Sequence, residues 1–128
     1  MTILGLVLAA VAAAIHVYVF VLESLVWTGA AARRTFGLTR ESAEITKPLA
    51  FNQGFYNLFL VVEIVVGIVL VALGQKAIGL TLVFVGTGSM VAAGLVLVLS
   101  DRTKARAALV QLVPPLLGII ALVVGLAA

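Results

Sequence analysis

Four long apolar runs, separated by polar stretches, make up most of the chain: residues 3–27, 51–73, 77–99 and 107–128. At about 1.5 Å of rise per residue, each is long enough to cross about 30 Å of hydrocarbon as a helix. The pattern predicts an all-α fold, a four-transmembrane-helix bundle forming one domain over residues 1–128. Two connections are tight, "GQK" and "SDRTKA", so the helices they join should run antiparallel as neighbours. The connection at residues 28–50 is too long for a hairpin turn and reads as a basic loop with a short amphipathic segment around Thr39 to Thr46. In the first run "AAVAAA" resembles a signal-peptide cleavage region, but there is no basic start and the apolar run continues to Trp27, so a retained helix is expected.

Composition agrees with this reading: 64% of the residues are apolar and 10% charged, with a mean hydropathy of +1.33, far from the ordinary soluble range. The absence of cysteine excludes disulfides, thiolate metal sites and cysteine nucleophiles. Charge then orients the bundle. Of the eight basic residues, Arg33, Arg34, Arg40 and Lys47 lie in the first connection and Arg102, Lys104 and Arg106 in the last, which leaves only Lys76 on the other side. The positive-inside bias therefore expects both connections in the cytoplasm and both termini on the non-cytoplasmic side, in the cytoplasmic (inner) membrane of a prokaryote. The net charge of +3 is too local for a nucleic-acid-binding face, and anionic lipid head groups are the expected partners of those seven side chains.

Against this background the polar residues inside the runs stand out. At about 100° per residue, His16, Phe20, Glu23 and Trp27 share one stripe of the first helix. On the second, Asn52, Tyr56 and Glu63 share a stripe, flanked by Gln53 and, further round, Asn57. A charged carboxylate near the bilayer centre costs roughly 2.5–3.5 kcal/mol on insertion scales, so both stripes are expected to turn inward. Counting from the ends of the first connection puts Gln53 and Asn57 level with Glu23, and Glu63 level with His16. In the last run Gln111 lies level with Glu23 and is followed by Pro114 and Pro115, which release the carbonyls of Val110 and Gln111 and predict a kink. Gln111, Pro115, Gly118 and Gly125 share a face that should meet the bundle, while Thr81, Gly88 and Ala92 form a small-residue stripe suited to close packing within the monomer or across a homodimer.

The candidate ligand-binding residues are accordingly His16, Glu23, Gln53, Tyr56, Asn57, Glu63 and Gln111, with Trp27 as an interfacial anchor. No metal site is expected, because the i, i+7 spacing separates His16 from Glu23 by roughly 10 Å. No cofactor motif, Gly-rich phosphate loop or nucleophile elbow is present.

The segments "HVYVFVLESLVW" and "NQGFYNLFL" resemble those of the small membrane proteins grouped as domain-of-unknown-function family 1304. The resemblance rests on His16, Tyr18, Phe20, Glu23 and Trp27 and on Asn52, Gln53, Gly54, Tyr56, Asn57 and Phe59; the last two helices match in hydropathy and length. It implies a four-helix membrane protein and carries no established activity. From the residues themselves the expected function is a buried polar, titratable site for a small polar or cationic solute, in the manner of a proton-linked carrier. The alternatives are a membrane-embedded acid/base enzyme acting on a lipid-soluble substrate, and a structural or accessory subunit whose polar residues only join helices.

Overall fold

The computed structural model describes residues 1–128. Helix α1 spans Thr2–Phe20 and continues through a π-helical turn, Val21–Leu25. A short α2, Ala30–Phe36, leads to α3, Arg40–Ala72, and α4, Lys76–Ser100. A 3-10 turn, Arg102–Lys104, then enters α5, Ala105–Ala127. Four segments are long and apolar enough to cross a membrane: Thr2–Leu25, Arg40–Ala72, Lys76–Ser100 and Arg102–Ala127. Helix α1 packs on α3 and α5, and α4 packs on the same two, so the four close into a ring in which α1 and α4 barely touch across the diagonal. Chain reversal puts both termini and the Leu73–Gln75 turn at one end, where the Thr2 hydroxyl donates to the Gly125 carbonyl at 3.3 Å. The other end, called here the basic end, holds α2, the start of α3 and the 3-10 turn.

Small side chains fill the interior. Ala9, Ala12 and Ala13 of α1 and Gly118 of α5 are buried, and only 28 of 128 residues are buried in all. Large apolar side chains such as Val7, Val65, Leu95 and Val123 point outward, the distribution suited to a hydrocarbon surround rather than water. A close backbone contact joins α3 and α4: a Cβ added to Gly67 would lie 2.7 Å from the Gly79 carbonyl oxygen, and one on Gly79 would lie 2.6 Å from that of Gly67. Above it Ile64, Val83 and Met90 form an apolar core with Ala9, Ala12 and Leu122.

Two expectations are corrected. The 28–50 stretch is mostly helix, and its segment near Thr39 to Thr46 is the start of α3 itself. The Thr39 hydroxyl accepts from the Ser42 N–H at 3.1 Å, and Glu41 lies in the first turn beside the positive helix end. Pro48 removes one donor but lies exposed, and the helix runs through it. The Thr81, Gly88 and Ala92 stripe does not serve packing within the monomer: Thr81 and Ala92 are exposed, and nothing lies within 4 Å of where a Gly88 Cβ would stand. The inward face of α4 is instead Gly79, Val83, Gly86, Met90 and Gly94. Helix α5 carries Pro114 and Pro115 inside its span, and its Pro115 and Gly118 face the bundle as the sequence predicts.

Candidate functional site

The inward face of α1 repeats at Gly5, Ala9, Ala12, His16 and Val19, a spacing of four and three that carries His16 to the interior with 2% of its surface exposed. Its Nδ1 lies 2.9 Å from the Ala12 carbonyl oxygen. A carbonyl only accepts, so Nδ1 holds the hydrogen, and in the neutral ring Nε2 presents a lone pair.

Glu23 follows on the π-helical turn, which the Val26 N–H closes onto the Val21 carbonyl at 3.1 Å. The wider turn buries Leu22 against Val19, Ala32 and Phe36 while Glu23, 8% exposed, turns toward α3. There the Asn57 amide Nδ2 donates to Glu23 Oε2 at 2.7 Å, and beside it the Ser24 hydroxyl donates to the Phe51 carbonyl at 2.9 Å. Neither Glu23 Oε1 nor His16 Nε2 has a partner within the chain, yet no buried side-chain polar atom is left unsatisfied, so both atoms reach open volume.

That volume is a cavity of about 560 Å³. His16, Glu23 and Trp27 line it from α1, Thr46, Gln53, Asn57 and Leu60 from α3, Met90, Ala93 and Leu97 from α4, and Lys104 and Gln111 from the α5 side. The Ile64, Val83 and Met90 core closes it toward the end that holds the termini. Phe36 of α2 lines it toward the basic end. The Phe36 ring lies against Trp27 with centroids 5.1 Å apart, the Trp27 indole donates to the Thr46 hydroxyl at 3.0 Å, and the Lys104 ammonium donates to the Phe36 carbonyl. Trp27, expected as an interfacial anchor, is thus also tied inward to α3. Glu23 borders a second, shallower groove of about 460 Å³ as well, with Lys47 and Asn52 on its wall.

Five of the seven candidate residues, His16, Glu23, Gln53, Asn57 and Gln111, line the one cavity. Gln53 stands at its exposed rim, and Gln111 also donates to the Ala107 carbonyl at 3.3 Å. Tyr56 and Glu63 do not join them. Tyr56 is 67% exposed and meets Phe59 edge-on. Glu63 makes no hydrogen bond within the chain, and His16 bonds the Ala12 carbonyl instead. Helical phase explains both. Relative to Asn57, Tyr56 lies about 100° away and Glu63 roughly 120° away, while Ala50, Gly54, Val61 and Ile64 fall close to Asn57 on the buried face. The Thr46, Phe36, Met90 and Lys104 contributions to the wall were not anticipated. The repeat of small residues Ala43, Ala50, Gly54 and Gly67 along α3 is the sequence signal that marks Asn57's face as the inner one.

Taken together, the fold and the site define a small polytopic helical membrane protein with a half-open cavity between its helices, onto which a histidine and an amide-bound carboxylate face. The chain belongs to the family described as Protein of unknown function (DUF1304), whose model matches residues 10–123. No curated protein and no solved structure matches the chain.

Proposed function

We propose that the cavity binds a small polar or cationic solute and that the protein carries this solute across the membrane in exchange for protons. The observation that supports the reading best is the Glu23–Asn57 hydrogen bond of 2.7 Å on the wall of a 560 Å³ cavity, which uses one carboxylate oxygen and leaves the other to the cavity. A carboxylate that holds either a proton or a cation, but not both at once, couples their movements. The amides of Gln53 and Gln111 and the His16 Nε2 supply neutral hydrogen-bonding groups around it. Interhelical glue accounts for a bond worth about 0.6–2 kcal/mol, but not for the open volume beside it. With the basic end in the cytoplasm, as the Arg and Lys bias favours, the cavity lies in the cytoplasmic half of the bundle.

Proteoliposomes holding a pH-sensitive dye test this with permanently charged cations, tetramethylammonium and guanidinium, which cannot cross as neutral amines. An inward cation gradient is expected to make the lumen alkaline in wild-type vesicles, and Glu23→Gln to slow this at least about tenfold, the loss of a charge-assisted contact. Flux unchanged in Glu23→Gln dismisses the carrier. A second reading has its own support: Leu60, Ala93, Val96 and Leu97 give the cavity an apolar wall between α3 and α4, suited to a lipid-soluble substrate with His16 Nε2 as base and Glu23 as acid. It predicts a product from membrane lipid extract that disappears in both Glu23→Gln and His16→Ala.

A further inference from the structure

A second cavity, of about 330 Å³, lies between α1, α2 and α5 at the basic end. Ile15, Tyr18, Val19 and Val110 give it an apolar wall that runs toward the middle of the spans, and Arg34 and Arg106 line it as its only charged groups. Both arginines are exposed, and neither makes a hydrogen bond or ion pair within the chain. Their neighbour Arg33 differs, donating its Nε–H to the Thr28 carbonyl at 3.2 Å. None of the five acidic residues lines the groove. Two unspent guanidinium forks over an apolar trough present the chemistry that binds a phosphodiester with a hydrocarbon tail.

We infer that this groove binds one anionic phospholipid, its phosphate between the guanidinium groups of Arg34 and Arg106 and the upper part of one acyl chain along Ile15, Tyr18 and Val110. The site is separate from the solute cavity, with which it shares only the Phe36 and Gln111 wall; Glu23 and His16 take no part in it. Its occupancy is therefore independent of whether the protein carries a solute.

Native mass spectrometry of the detergent-solubilised protein, titrated with phosphatidylglycerol, phosphatidylcholine and soluble glycerol 3-phosphate, tests the assignment. Phosphatidylglycerol is expected to bind in preference to the other two. Arg34→Gln with Arg106→Gln should weaken it about tenfold or more, as loss of charged hydrogen bonds does. Arg40→Gln with Arg102→Gln removes the same charge from exposed positions outside the groove and should leave the affinity within about twofold. Val110→Trp fills the trough without altering charge and should also weaken binding. Equal losses in the two arginine pairs, an unaffected Val110→Trp, or glycerol 3-phosphate binding as well as the lipid would each overturn the site.

Discussion

Asn57 lies 34 positions from Glu23 and still donates to it at 2.7 Å. Gly54 makes that approach possible. A Cβ there would overlap the Ser24 hydroxyl and stand 3.1 Å from Glu23 Cβ, so any side chain at 54 pushes the π-helical turn off α3. Gly54→Val is expected to lower stability by about 1–3 kcal/mol, the range for overpacking a tight contact, and to show this as a lower unfolding midpoint in detergent. An unchanged midpoint would mean that the turn is not held against α3. At this scale the sequence was informative about residue type and depth. Ionisable and amide groups in apolar runs must be partnered, and a count from the helix ends puts Glu23 level with Asn57. It was less informative about phase. Asn52, Tyr56 and Glu63 share a stripe as well as any other set, and only the small residues flanking Asn57 reveal which stripe of α3 is buried.

The helices show a similar division. Four spans follow from hydropathy and length alone, because the bilayer fixes both, and the resulting segments agree with the four runs to within a few residues, apart from the start of α3. That start is set by capping rather than by hydropathy, through Thr39 and Ser42. The π-helical turn at Val21–Leu25 has no signature in residue pattern, since its extra residue is absorbed by packing on both α2 and α3. A further cap shapes the last connection: Asp101 accepts from the Thr103 backbone N–H at 2.9 Å and from its hydroxyl at 2.5 Å. The Thr103 side chain first, then its N–H, with Lys104 nearby, holds the Asp101 carboxyl below the usual carboxylate range. A depressed value in the folded protein stabilises the fold at pH above the unfolded value, and the benefit is lost as pH falls through the folded one. Thr103→Val should therefore raise the Asp101 titration midpoint seen by carboxyl carbon NMR. Its stability should also approach that of the wild type as the medium is acidified through the carboxylate range. A titration midpoint that stays put would contradict the cap.

At the scale of the whole molecule, small residues draw the helices together at the end with the termini, while Phe36 of α2 and the polar side chains border a cavity nearer the basic end. Large apolar residues are spent on the outer surface, which is why composition alone identifies a membrane protein while saying little about its interior. The cavity depends on ring order and helix phase, neither of which hydropathy encodes. Because the chain has no cysteine, single introduced cysteines report water directly: a thiol reacts with a charged, water-soluble methanethiosulfonate only where it can ionise. Both Ala92 and Ala93 are exposed, but Ala93 lines the cavity and Ala92, adjacent at the same depth, does not. The reaction rates of Ala93→Cys and Ala92→Cys in intact membranes, with the reagent added from each side in turn, are the most direct test of a one-sided aqueous cavity. The expected result is fast labelling of Ala93→Cys from the basic end alone and little labelling of Ala92→Cys; equal, slow labelling of both from either side would contradict it.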